Sequence, residues 1–195
     1  KMAMRNLESR GAGDLRGAEQ SVHLMSVGYD MYLKLLEEAV LEERGEPTPR
    51  EAECSCDISV TANIDKDYVP AGEQRMDLYR RIALVRTEED ASDLIDELCD
   101  RYGDMPSSVY TLIRIARLRA EAAAVQVSDI SQKSNRILFS LARPDIRAIS
   151  ALCGERRWRG RLFFSAGEKP ALTLKLEGAS PLDEAEAIIS GLGTF

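Results

Sequence analysis

Between residues 54 and 124 the hydrophobic period of the chain changes once, from two to about 3.6, and that change limits the possible folds. Cys54, Cys56, Ile58, Val60 and Ala62 alternate with Ser55, Asp57, Ser59 and Thr61, the pattern of a half-buried strand. Three helical stripes follow. Residues 73–85 place Leu78, Tyr79, Ile82 and Ala83 on one face, and residues 88–102 do the same with Ala91, Leu94, Ile95, Leu98, Cys99 and Tyr102. The third runs from near Pro106 to Ala124, with Val109, Leu112, Ile113, Ala116 and Ala120 predicted to face inward. Thr87 followed by Asp90 has the spacing of a capping box, and Gly103 supplies a stop.

Alternation then returns. Ile137, Phe139 and Leu141 predict a strand, joined through a turn at Lys133-Ser134-Asn135 to another near 126–131. A helix is expected over 145–153, strands over 161–165 and 171–176, and a last helix over 181–191 that opens on Ser180 and Pro181. Helices and strands grouped in blocks give an α+β fold and not a doubly wound parallel sheet.

Upstream, residues 1–9 read as helix and run into a loop carrying Gly11, Gly13 and Gly17. No capping sequence precedes that helix, so it is expected to be the end of something longer. A further helix is expected from Tyr29 to Glu43, with Gly45 as its stop, and residues 45–53 hold two prolines in a polar run. The predicted organisation is a helical and loop segment at 1–45, a linker at 46–53, and a compact domain at 54–195 with about five to six helices and short strands.

The residue inventory excludes most chemistry. No run approaches the roughly 18 apolar residues of a membrane span, and the charged start does not lead into a signal-peptide core, so a cytoplasmic protein is expected. Cys54 and Cys56 share a strand face, which suits buried small hydrophobes better than zinc ligands; His23 is the sole histidine. No phosphate-binding glycine motif and no Ser–His–Asp or Cys–His set occurs, so no catalytic residue and no metal ligand is predicted.

Charge is more informative. The net value is −7, yet residues 86–104 hold eight acids against Arg86 and Arg101, and residues 133–161 hold eight bases against Asp145 and Glu155. At 100° per residue, Glu89, Asp93, Asp96, Glu97 and Asp100 fall within an arc of about 100° opposite the apolar stripe. Like charges stacked this way repel by a few tenths of a kcal/mol per pair. Two readings stand: a solubilising face, or a docking surface for a basic partner. Arg156, Arg157, Arg159 and Arg161 around Trp158 likewise read either as a nucleic-acid contact or as charge guarding an edge strand, the latter being the plainer.

The run Asn6-Leu7-Glu8-Ser9-Arg10-Gly11-Ala12-Gly13-Asp14-Leu15-Arg16-Gly17-Ala18-Glu19-Gln20-Ser21 resembles the translocation motif of bacterial transcription-repair coupling factors and the related branch-migrating helicases. Val27 to Tyr32, Tyr68-Val69-Pro70, Gln74 to Ala83, Glu97-Leu98-Cys99-Asp100-Arg101-Tyr102-Gly103 and Ile115 to Arg119 are similar to the coupling factors in particular. Two positions depart from that pattern: Val22 stands where the family has Gly, and Asp65 where it commonly has Pro. The resemblance implies that residues 1–45 end the second lobe of an ATP-driven DNA motor, with Arg10, Gly11, Gly13, Gly17 and Gln20 in its translocation motif. It also implies a C-terminal regulatory domain that folds back on an N-terminal module and hides the surface that binds the excision-repair damage sensor. Glu97 and Asp100 match the contact helix, and Asp93 and Asp96 lie beside them. RNA polymerase and double-stranded DNA are implied partners of the whole protein. ATP and magnesium are implied for its motor, and no cofactor for this chain.

Overall fold

The computed structural model describes residues 54–194. The expectations for residues 1–53, including the glycine loop at Arg10–Gln20, the helix near 29–43 and the linker, lie outside the described residues.

The described domain is α+β. Its order is β1 (Ser55–Asp57), α1 (Gly72–Ala83), α2 (Glu88–Tyr102), α3 (Ser107–Ala124), β2 (Val127–Lys133), β3 (Arg136–Leu141), α4 (Ile146–Gly154), a 3₁₀ turn (Arg156–Trp158), β4 (Leu162–Ser165), β5 (Ala171–Lys175) and α5 (Pro181–Gly193). The strands form one five-stranded sheet in the order β1-β2-β3-β5-β4. Only β1 and β2 are parallel, as a connection through three helices permits; the other pairs are antiparallel. β2 and β3 meet in a hairpin at the predicted turn, where Ser134 has φ 53°.

One face of the sheet makes the larger core. Cys56, Ile130, Phe139, Leu172 and Phe164 stand in register across all five strands, with Ile137, Leu174 and Leu162 in the adjacent row. Against these rows pack Ile115, Leu118 and Ala122 of α3, Ile149 and Leu152 of α4, and Leu182, Ala185, Ile188 and Ile189 of α5. Helices α4 and α5 approach closely because position 191 has no side chain; a Cβ there would overlap Cδ1 of Leu152.

A second core holds α1 and α2 against the first half of α3, through Leu78, Ile82, Leu94, Leu98, Val109, Leu112 and Ile113. Helix α3 therefore serves both cores. This corrects its predicted single stripe: Ala120 is only half-buried, whereas Ile115 and Leu118 are buried on a second face. Arg119 is also buried, its Nε donating to the Cys54 carbonyl at 2.8 Å and so tying α3 to the start of β1.

Three further expectations change. The ladder of β1 stops at Asp57, although Ile58, Val60 and Ala62 continue the alternation and pack on the larger core. Helix α1 ends at Ala83, two residues before the predicted limit, leaving Leu84 exposed and Val85 buried. Cys99, expected in the stripe of α2, is exposed. At Asp65 the chain uses an acceptor in place of a ring. Its Oδ1 takes the N–H of Asp67 at 2.8 Å and its carbonyl takes the N–H of Val69 at 3.1 Å, a turn closed by the side chain.

Candidate functional site: the acidic face of α2

Helix α2 is fixed before its outer face is considered. Thr87 caps it: the Asp90 N–H donates to Thr87 Oγ1 at 3.1 Å, and Asp90 Oδ2 accepts from the N–H groups of Thr87 at 2.9 Å and Arg86 at 3.0 Å. Those backbone donors, Arg86 first, hold the Asp90 carboxyl below its ordinary value. Gly103, at φ 82°, ends the helix in a conformation that side chains disfavour. Ala91, Leu94 and Leu98 turn inward, so the opposite face must point to solvent.

All the predicted contact acids lie on that face. Asp93, Asp96, Glu97 and Asp100 are exposed, as is Glu89. Among the described residues Asp93, Asp96 and Asp100 engage in no ion pair. Glu97 is different. Arg81 of α1 grips it with both terminal nitrogens, Nη1 donating to Oε1 at 2.7 Å and Nη2 donating to Oε2. The hydrogen bonds from Arg81 are the first cause of a lowered Glu97 pKa.

Between α1 and α2 lies a groove of about 270 Å³, floored by Leu78, Leu98 and Tyr102, with the acids Glu73, Asp77 and Glu97 and the cations Arg81 and Arg101 alongside. The site is thus a surface shared by two helices. The contribution of α1 was not read from the sequence, because Arg81 and Glu97 sit 16 residues apart on separate helices.

A pH consequence follows from Glu97. Its folded pKa lies below the unfolded one, so the Arg81 pair contributes fully above the unfolded value and is lost as pH falls through the folded one. The stability this pair adds is therefore expected to be present at pH 5 and to be lost only below the ordinary glutamate pKa of about 4.3. Urea unfolding of wild type and Glu97→Gln across pH 3–8 checks this; a difference between the two that disappears near pH 6.5 contradicts it.

The basic segment folds otherwise than predicted. Arg156, Arg157 and Trp158 form a 3₁₀ turn and not an edge strand, and Trp158 is buried at 1% exposure. The Arg157 guanidinium lies 4.4 Å from the indole centroid and that of Arg161 5.8 Å. Arg161 is engaged with buried Glu184 at 2.9 Å and with Glu177 at 3.5 Å, and donates to the Lys175 carbonyl. The structure brings together a different basic row: Lys133, Arg136 and Lys175 are in register at one end of the sheet, all exposed. Along the same face Phe163, 56% exposed, aligns with Thr173, Leu138 and Ser131. Among the described residues no helix is long and apolar enough to cross a membrane.

Residues 58–150 match the TRCF domain family. The transcription-repair-coupling factor of Bacillus subtilis is 36% identical over 200 residues, covering 98% of this chain and 17% of that protein. Its counterpart in Staphylococcus haemolyticus is 36% identical over 144 residues, covering 73% of this chain and 12% of that protein. The chain therefore spans about a sixth or less of the length of these relatives. A crystal structure of the C-terminal domain of transcription-repair coupling factor superposes with a TM-score of 0.61 at 16% identity, covering 73% of this chain and 92% of that one. At that identity the likeness establishes the fold. With the fold, the domain match and the relatives in agreement, the chain belongs to the transcription-repair-coupling factor family.

Proposed function

We propose that residues 54–195 form a non-catalytic regulatory clamp, the C-terminal domain of a DNA-translocating coupling factor, and that residues 1–45 belong to its motor lobe. The clamp binds the N-terminal module of the same protein and covers the surface that receives the excision-repair damage sensor. ATP hydrolysis and the RNA polymerase contact reside elsewhere in the parent protein, whose DNA movement residues 1–45 serve through the translocation motif. The observation that carries this reading is the one-sign face of α2, where Asp93, Asp96, Glu97 and Asp100 all reach solvent from a well-capped helix.

The energies suit a lock that must open. An exposed ion pair supplies about 0.2–1 kcal/mol. Holding a tethered partner about 99% closed needs about 2.7 kcal/mol. Two or three pairs with some apolar burial reach that value, and a shape change in the motor can still overcome it. Glu97 and Asp100 are the leading contacts, with Asp93 and Asp96 supporting. Reversing the first two with Glu97→Lys and Asp100→Lys is expected to weaken association with the separate N-terminal module by roughly 30-fold, about 2 kcal/mol. Affinity unchanged in the variant removes these residues from the contact.

A second reading is a nucleic-acid-binding module. The observation favouring it is the row Lys133, Arg136 and Lys175 beside exposed Phe163, with Arg156, Arg157 and Arg159 exposed near the start of β4. It requires salt-sensitive DNA binding by the chain, since neutralised phosphates release counterions. Absence of any gel shift at low salt excludes it.

A further inference from the structure

Glu97 does not meet a partner as a bare carboxylate. Both of its oxygens already accept hydrogen bonds from Arg81, in the fork geometry that an incoming cation would use. The pair is open to competition, because Arg81 and Glu97 side chains are 38% and 45% exposed. Arg81 also has a second place to go. Asp77 lies one helical turn earlier on α1, at i−4 from Arg81, and its charge already acts on that guanidinium. Glu73, a further turn back, extends the acidic side of the same groove, Arg101 also lines it, and the half-buried ring of Tyr102 gives an apolar surface for the stem of a long side chain.

We propose that Arg81 is an internal competitor for the contact surface, occupying Glu97 in the free domain and moving to Asp77 when a cationic side chain of the partner enters the groove between α1 and α2. This rests on the clamp reading above and adds its regulation. The free domain satisfies Glu97 by itself, so the contact is weaker than four exposed acids would make it. Releasing the clamp is then an exchange of one guanidinium for another, and Glu97 is never left without a cation.

The test is a calorimetric titration of the full chain and its variants with the N-terminal module of the parent protein. Arg81→Gln frees Glu97 and is expected to tighten association about threefold to tenfold. Asp77→Asn removes the alternative seat and is expected to loosen it about twofold to threefold, an effect that disappears when Arg81→Gln is also present. Glu97→Gln is expected to loosen association and to abolish the gain from Arg81→Gln. A scaffold role for Arg81 predicts the opposite sign, so loosening by Arg81→Gln, or no change, overturns the competitor while a loosened Glu97→Gln leaves the clamp standing. If Glu97→Gln has no effect either, the clamp contact and the competitor fall together. Thermal melts of each variant show whether the fold is intact, and Arg81→Lys, which keeps the charge without the fork, should lie between wild type and Arg81→Gln.

Discussion

Replacing Trp158 with alanine is expected to destabilise the domain by about 3–5 kcal/mol, a large share of the 5–15 kcal/mol that holds a typical domain together. Trp158 is 1% exposed and belongs to the larger core, beneath a lid formed by the guanidinium of Arg157. Truncation removes its apolar contacts, leaves a cavity in the larger core beside α4 and strands the cation above it. Urea unfolding should show a much lower midpoint with little change in slope. A loss below about 1 kcal/mol contradicts the burial. The result also bears on the nucleic-acid reading: if this variant fails to bind DNA, the cause is a damaged fold and not a lost stacking platform. Phe163→Ala is the fair probe of that surface, because Phe163 is 56% exposed and should be removable within about 0.5 kcal/mol.

Arg161→Ala is the second large effect, expected near 3 kcal/mol. Among the runs of arginine around Trp158, this one is committed inward. It meets Glu184 at 2.9 Å, and Glu184 is only 4% exposed at the start of α5. Removing the cation leaves a carboxylate buried with its solvation gone and its partner absent, which costs more than the intact pair contributes. Exchanging both members for apolar residues, Arg161→Met with Glu184→Leu, should recover most of the loss; a double-mutant cycle measures the coupling. If Arg161→Ala unfolds no earlier than wild type, the inward ion pair is not holding α5 to β4.

What could be read ahead of the structure follows the range of each signal. Helix α2 was legible to the residue, because Thr87, Asp90 and Gly103 act within a few positions of its ends. The capped start of α5 was legible for the same reason. Cys99 was misplaced because it sits at the margin of the apolar arc, where periodicity cannot say how far the neighbouring helix reaches. A single stripe on α3 was the natural reading of a helix assumed to have one buried side; serving two cores is a tertiary fact. Trp158 was hidden by its neighbours, since four arginines within six residues look like surface although two of them lie over the ring of a buried indole. The acidic face was legible as an arc. Its occupancy by Arg81 was not, because that pairing joins two helices whose separate patterns say nothing of their mutual rotation.

The most direct test mixes the full chain with the N-terminal module and compares wild type with the Glu97→Lys/Asp100→Lys variant by calorimetry at moderate salt. A measurable wild-type affinity that drops by roughly 30-fold, with the melting transition preserved, is the expected result for a clamp closed by the face of α2. Equal affinity in the two proteins contradicts it.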